Sequence, residues 1–387
     1  MCSLLIVIIY IAFISLGLPD SLLGAAWPVM RLELGASLSL AGLVTMVISG
    51  GTILSSLASE RITHRFGAGL TTAFSVGMTA LALFGFSTAT AYCQLFIWAI
   101  PYGLGAGAVD AALNNYVALH FAARHMSWLH CFWGVGASVS PYIMQYCLLS
   151  EHLGWQNGYL TISLLQVVLT ICIFVSLPLW KKSKSGNSDT TAEGPVGLKK
   201  ALMIPGVPFI LTAFFGYCAM EATAMYWASS YFVEFHGLDA ETAAGYGSLI
   251  YLGLTAGRLF CGFIADRISD RNLIRFGSFI LFAGIILVML PTGWLTAAIG
   301  LTIVGLGCAP IYPCIIHSTP ANFGEKNSQA IVGIQMASAY VGSTCIPPVF
   351  GFLAEYVHMG IYPFYLALFS ALMFWMSERL NRMMDAK

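Results

Sequence analysis

Charge is what this chain has least of. Asp, Glu, Lys and Arg make up 9% of its 387 residues, where a soluble domain carries about 25%. With 58% hydrophobic residues and a mean hydropathy of +0.81, a water-soluble globular domain is excluded. A polytopic helical protein with the lipid bilayer as its solvent remains. Paired cysteines are also missing: the ten Cys stand singly in apolar stretches, as at Cys131, Cys172, Cys261 and Cys308. They read as small buried hydrophobes, without disulfides or a metal site. No H-E-x-x-H, G-x-S-x-G or G-x-x-x-x-G-K-[ST] occurs, so neither an enzyme nor a nucleotide-driven pump is expected. No cofactor and no nucleic-acid partner is expected either. A basic n-region and a small-residue cleavage site are absent, so residues 3–30 read as a first span rather than a removed signal.

What the chain does have is long apolar runs. They predict twelve spans, near 3–30, 38–58, 68–90, 93–119, 126–149, 158–180, 203–232, 242–265, 272–290, 293–317, 329–353 and 360–377. The segment 181–200, KKSKSGNSDTTAEGPVGLKK, is polar and rich in Ser and Gly. It cannot bury an apolar face and reads as a linker. The expected organisation is an all-α membrane protein: a six-helix bundle over 1–180, a cytoplasmic linker over 181–200 and a second six-helix bundle over 201–387. With twelve spans, the side holding both termini and the linker receives 15 of the 17 Lys and Arg; Arg31 and Arg258 are the two others. Cytoplasmic loops collect Lys and Arg, so both termini are expected in the cytoplasm, in a plasma or inner membrane.

The halves repeat. Residues 51–65, GTILSSLASERITHR, align without gaps on 257–271, GRLFCGFIADRISDR, setting Glu60-Arg61-Ile62 on Asp266-Arg267-Ile268 and Arg65 on Arg271. Gly262-Phe-Ile-Ala-Asp266-Arg267 resembles the loop signature G-x-x-x-D-R-x-G-R-[RK] of the major facilitator superfamily, with Ser269 at the second glycine. The resemblance implies that family's fold, two parallel six-span repeats, and a cytoplasmic charge latch. Glu60, Arg61, Arg65, Arg258, Asp266 and Arg267 are the residues assigned to that gate. Within the superfamily, Gly107-Ala-Val-Asp110-Ala-Ala-Leu-Asn114-Asn115-Tyr116-Val117 is similar to the fourth-span motif of the fucose permease family of sugar:proton symporters. Asp20 occupies the place of that family's first-span aspartate, and Gly216-Tyr-Cys-Ala-Met-Glu221 resembles its seventh-span motif. The likeness implies monosaccharide uptake, with the first- and fourth-span acids handling sugar and proton.

Three acids interrupt apolar runs: Asp20, Asp110 and Glu221. An ionisable group inside a membrane is costly and marks a pathway or a relay more often than a scaffold. Asp20 follows Gly17 and Pro19, which predicts a broken helix with an acid at the break. Asp110 and Asn114, four residues apart, share one helix face. Either they bind solute hydroxyls or they clamp two helices together. Glu221 shares its face with Tyr217, with Trp227 further along. Arg258 is a possible partner for it, but the span count sets Glu221 deeper. Arg258 is therefore expected to reach toward the cytoplasm or to bind helix-end carbonyls. His130 lies on a stripe with Ser127, Gly134 and Ser138, suited to a relay or to packing. Gln335, Ser338, Tyr312 and His317 are lesser candidates of the same kind.

The function expected is secondary active transport of a small polar solute, a monosaccharide, by proton-coupled alternating access, in a monomer. Asp110, Asn114, Asn115, His130, Glu221, Trp227 and Gln335 are the substrate-binding set, and Asp20, Asp110 and Glu221 handle protons. Sodium could take the place of the proton, since carboxylates also form oxygen sites. Two alternatives stay open: proton-coupled export of amphipathic or cationic compounds, and a non-transporting membrane receptor.

Overall fold

A computed structural model describes residues 2–37, 40–150, 153–181 and 196–386. Most of the expected linker, 182–195, lies outside the described residues. Sixteen α-helices and no strand occur among the described residues. The first span is α1 (Cys2–Gly17) and α2 (Leu22–Glu33), and α3 (Leu40–Ser87) holds the next two. They are followed by α4 (Tyr92–His120), α5 (Ala123–Leu149) and α6 (Trp155–Lys181). After the short α7 (Leu198–Leu202), α8 (Val207–Glu234) is the seventh span, and α9 (Ala240–Gly247) with α10 (Leu249–Ile264) is the eighth. The ninth is α11 (Asp270–Met289), and the tenth combines α12 (Trp294–Cys308) with α13 (Ile311–His317). The short α14 (Thr319–Phe323) precedes α15 (Glu325–Tyr356) and α16 (Tyr362–Asp385). The architecture is an all-α membrane protein of twelve spans in two six-helix bundles.

The second span differs from its expectation. Its helix runs to Phe66, so the Glu60–Arg65 segment that was read as a loop is helical, and only Gly67 turns the chain, at φ 79°. That left-handed conformation suits a residue without a Cβ.

The described residues form two compact units. Unit 1 holds residues up to Tyr116 and Leu129–Gly197; unit 2 holds Val117–Trp128 and the residues from Leu198 onward. The core of unit 1 is built by Leu22 and Trp27 of α2, Leu83 of α3, Leu95 of α4 and Trp155 and Tyr159 of α6. Large apolar side chains such as Leu54, Leu81, Val168, Phe279 and Leu368 stay exposed, as the lipid-facing wall of a span requires.

Both units use one packing register. A Cβ on Gly103 would lie 2.2 Å from the Ile48 carbonyl oxygen, and one on Gly305 would lie 2.2 Å from that of Ile250. Each member of the first pair precedes its counterpart by 202 residues. The same spacing separates the helix starts Tyr92 and Trp294, the starts Ala123 and Glu325, and the ends Ser87 and Met289. The gapless match of 51–65 on 257–271, at an offset of 206, is therefore one helical turn out of register. In the shared register Glu60 stands at Gly262, Arg65 at Arg267 and Ser56 at Arg258. The acid–Arg pairs that carried the alignment are not equivalent in space: Glu60 sits one turn deeper in its helix than Asp266 does.

Candidate functional site

Two prolines and a glycine build the setting of Asp20. Pro19 has no amide to give the Ser15 carbonyl, its partner four residues back in a helix. That carbonyl instead accepts from Gln166 Nε2 at 2.8 Å, and Gln166 Oε1 accepts from the Thr79 hydroxyl at 2.8 Å. The chain turns over residues 18–21 and restarts as α2. On the facing helix, Pro141 frees the Ala137 carbonyl in the same way, and the Ser21 hydroxyl donates to it at 2.5 Å. Gly17 permits the approach, since a Cβ there would lie 2.1 Å from the Trp133 carbonyl oxygen. The expected break with an acid at its centre is present. Asp20 Oδ1 accepts from the Tyr102 hydroxyl at 3.0 Å and Oδ2 from Trp133 Nε1 at 2.9 Å. No ion pair to Asp20 occurs among the described residues. Asp20 is otherwise exposed, near the middle of the span Leu4–Glu33. A midspan carboxylate with only neutral donors belongs beside water, not lipid.

A second group lies one turn away along α5. Asn114 Nδ2 donates to Asp110 Oδ1 at 2.7 Å and to the Asp110 carbonyl at 3.0 Å. His130 Nε2 donates to Asn114 Oδ1 at 3.1 Å, because an amide oxygen can only accept. Asp110, Asn114, Asn115 and His130 are all buried. His130 is also held edge-on by Phe13, ring centroids 5.5 Å apart. The i, i+4 pair is thus joined across helices by the histidine. His130 and Trp133 are three residues apart on α5, so the two groups form successive layers of one polar track in unit 1.

Unit 2 treats its acid differently. Glu221 Oε1 accepts from the Tyr217 hydroxyl at 2.7 Å and from Arg258 Nη2 at 3.3 Å. The Tyr217 hydroxyl also lies 3.1 Å from the Cys308 carbonyl oxygen at the end of α12. Arg258 is buried at 4% exposure. The expectation that it reaches away from Glu221 is corrected: the long side chain spans the offset in depth, and a buried guanidinium requires an opposite charge. Arg258 therefore joins the Glu221 group, not the loop residues it was expected to accompany. Trp227 donates from Nε1 to the Pro347 carbonyl at 2.9 Å and packs on Phe350. It is committed to the α8–α15 contact. Gln335 is fully buried and accepts from the Thr319 hydroxyl at 3.0 Å. The Ser338 hydroxyl donates to the Leu211 carbonyl, and the Tyr312 hydroxyl lies 3.4 Å from Met336 Sδ.

The proposed gate residues separate by unit. In unit 1, Glu60 is buried and its carboxylate accepts from the backbone amides of Val196 at 2.5 Å and Gly197 at 3.1 Å. Arg61 and Arg65 are exposed, and Arg65 lies over the Phe66 ring. In unit 2, Asp266 pairs with Arg124 Nε at 3.2 Å and accepts from its backbone amide at 3.1 Å. Arg267 is exposed. His317 Nδ1 lies 2.7 Å from Asp270 Oδ2, which sets this histidine at the start of α11.

Residues 9–302 and 248–380 match the Major Facilitator Superfamily. The chain belongs to this superfamily. Bypass of stop codon protein 6 of Saccharomyces cerevisiae is 22% identical over 91% of this chain and 77% of that protein. The hexuronate transporter of Bacillus subtilis is 23% identical over 69% of this chain and 65% of its own length. The fold is similar to that of the E. coli fucose:proton symporter FucP, with a TM-score of 0.78 at 16% identity, covering 97% of this chain and 98% of that one. FucP in its outward conformation gives 0.79. This superfamily member is a transporter and an integral multi-pass membrane protein, not an enzyme.

Of the residues that sequence reasoning assigned to the transporter's site, the structure joins Asp110, Asn114 and His130, and separately Glu221 with Arg258. Three partners were missed. Tyr102 on α4 and Trp133 on α5 both serve Asp20. Arg124 is the partner of Asp266. An aromatic N–H or O–H on a face shared with a midspan acid is the signal that could have found the first two.

Proposed function

We propose that this transporter carries a monosaccharide inward in symport with protons. It does so by alternating access between bundles 1–180 and 201–387, joined by the linker 181–200, with both termini in the cytoplasm. The observation that carries the reading is Asp20, an exposed midspan carboxylate held by two neutral donors and, among the described residues, by no cation. It stands one layer from the Asp110–Asn114–His130 chain. Tyr102 and Trp133 offer aromatic faces beside it, and sugar C–H faces pack on such rings. The carboxylate and amide oxygens accept from sugar hydroxyls, while Asn114 and His130 can donate. Sugar binding displaces water from Asp20, and a charged carboxylate without water or a cation is penalised. A proton on Asp20 removes that penalty, with Asp110 one layer away as a second carrier, so loading with solute and proton together precedes reorientation. Glu221 is already balanced by Arg258 and needs no proton in the empty carrier.

The FucP fold likeness and the hexuronate transporter among the relatives support a sugar-class solute. The pairing of Glu221 with Arg258 weighs against an organic cation, since it withdraws one of the three acids. The test is thermal stabilisation of the purified protein by neutral sugars, sugar acids and organic cations at two pH values. Stabilisation by a monosaccharide, stronger at the lower pH, is the expected result. Stabilisation by cations alone would refute the reading.

A further inference from the structure

We propose that Gln166, through the helix break it clamps, positions Asp20 between its two donors and so sets the pH at which that carboxylate takes up a proton. This rests on the reading of Asp20 as the proton carrier and adds the residue that tunes it. The Ser15 carbonyl freed by Pro19 lies where water does not replace the lost amide: Ser15 is 6% exposed and Gln166 1%. Gln166 Nε2 supplies the donor at 2.8 Å. A side-chain amide can face either way, and the Thr79 hydroxyl, donating to Oε1 at 2.8 Å, turns the NH2 group toward Ser15. Beyond the break, the Ser21 hydroxyl binds the Ala137 carbonyl and lies 2.8 Å from Ser140 Oγ. Gly17 and Gly136 bring the backbones of α1 and α5 together, since a Cβ on Gly136 would run into the Ile14 carbonyl. The break is thus fixed on α5 by its glycines and Ser21, and on α3 and α6 by Gln166. Asp20 lies between these clamps.

The two Asp20 oxygens are met from different helices, by Tyr102 of α4 at 3.0 Å and Trp133 of α5 at 2.9 Å. Hydrogen bonds of these kinds reach only to about 3.0–3.2 Å, so a displacement of a few tenths of an ångström weakens both. Without Gln166 the Ser15 carbonyl is buried and unsatisfied, a state costly enough to move the segment. Asp20 moves with it. Neutral donors favour the charged carboxylate, so weakening them lets Asp20 keep its proton to a higher pH. The titratable group facing Asp20 from α4 is Tyr102, with Tyr159 of α6 acting on Tyr102 from behind. From α5 it is His130, one layer away. No Lys or Arg pairs with Asp20 among the described residues.

The measurement is a pH titration of the full-length protein in lipid nanodiscs, without solute, read by infrared difference spectroscopy of the protonated carboxyl stretch. The band missing from Asp20→Asn belongs to Asp20. Gln166→Leu should raise its midpoint by about one pH unit, the equivalent of roughly one hydrogen bond to a charged group. Thr79→Val should shift it the same way by less, and Thr79→Ser, which keeps the hydroxyl, should restore the wild-type midpoint. Ser163→Ala is the packing control: Ser163 donates to the Ala80 carbonyl at 2.8 Å, joining the same two helices without reaching the break. Its midpoint should stay at the wild-type value. If Gln166→Leu does not fold, the two Thr79 variants decide. Wild-type midpoints in Gln166→Leu and Thr79→Val would overturn the positioning role and leave the proton reading standing. An equal shift in Ser163→Ala would do the same, since loosened packing would then suffice. A wild-type Asp20 band that does not change at any pH where the protein stays folded would overturn the proton reading itself.

Discussion

In unit 1 the Ile48 carbonyl meets Gly103; in unit 2, 202 residues further on, the Ile250 carbonyl meets Gly305 at the same distance. At that same register Ser56 faces the Gly107 carbonyl in unit 1, while unit 2 has Arg258 at the equivalent position. Asp110 of α4 corresponds in turn to Tyr312 of α13. The backbone contacts that let helices approach are duplicated, and the polar side chains are not. Glycine-to-carbonyl contacts are fixed by helix geometry and tolerate little change. The charged positions project into space where several solutions pack, so the two units could diverge there without losing the fold. Among the described residues, unit 1 ended with Asp20 held by neutral donors, and unit 2 with Glu221 held by a guanidinium.

The sharpest way to break the shared packing is to add bulk at the matched glycines. Gly103→Leu and Gly305→Leu each drive a side chain into a backbone carbonyl. Each is expected to cost on the order of 4 kcal/mol or more, seen as loss of monodisperse folded protein on size exclusion. Tolerance of one with failure of the other would show that the two registers are not equivalent.

The contrast in charge is tested next. Arg258→Gln leaves the half-buried Glu221 without its guanidinium partner and should destabilise by about 3 kcal/mol, with most of that recovered in the Arg258→Gln/Glu221→Gln double variant. Asp20→Asn removes a carboxylate with no cation partner among the described residues and should cost only about 1 kcal/mol. Thermal unfolding of the four proteins, wild type included, checks the order. A double variant no more stable than Arg258→Gln would mean that the pair does not act as one unit.

Much of the fold was legible because its causes are local. Composition and run length specify spans, Gly17 and Pro19 specify a break, and the four-residue spacing of Asp110 and Asn114, like that of Tyr217 and Glu221, specifies a shared face. What escaped depends on contacts far apart in the chain. Trp133 reaches Asp20 across 113 positions, and nothing in either segment alone shows it. The depth of Arg258 against Glu221 was misjudged because a span count carries an error of several residues, comparable with the reach of an arginine. The repeat was recognised but placed one turn out of register, since acid–Arg identities in the loops outweighed the glycine spacing inside the helices. The contacts now known to match, Gly103 with Ile48 and Gly305 with Ile250, are the better guide.

The most direct test of the account is proton-driven sugar uptake into proteoliposomes by the wild type, Asp20→Asn and Asp110→Asn. With an imposed inward proton gradient the wild type should accumulate solute above equilibrium, less so as the outside pH rises. Both variants should lose accumulation, and Asp110→Asn should retain some exchange of solute across the membrane. Undiminished accumulation by both variants at every pH would contradict the claim that the unit 1 acids couple the proton to the sugar.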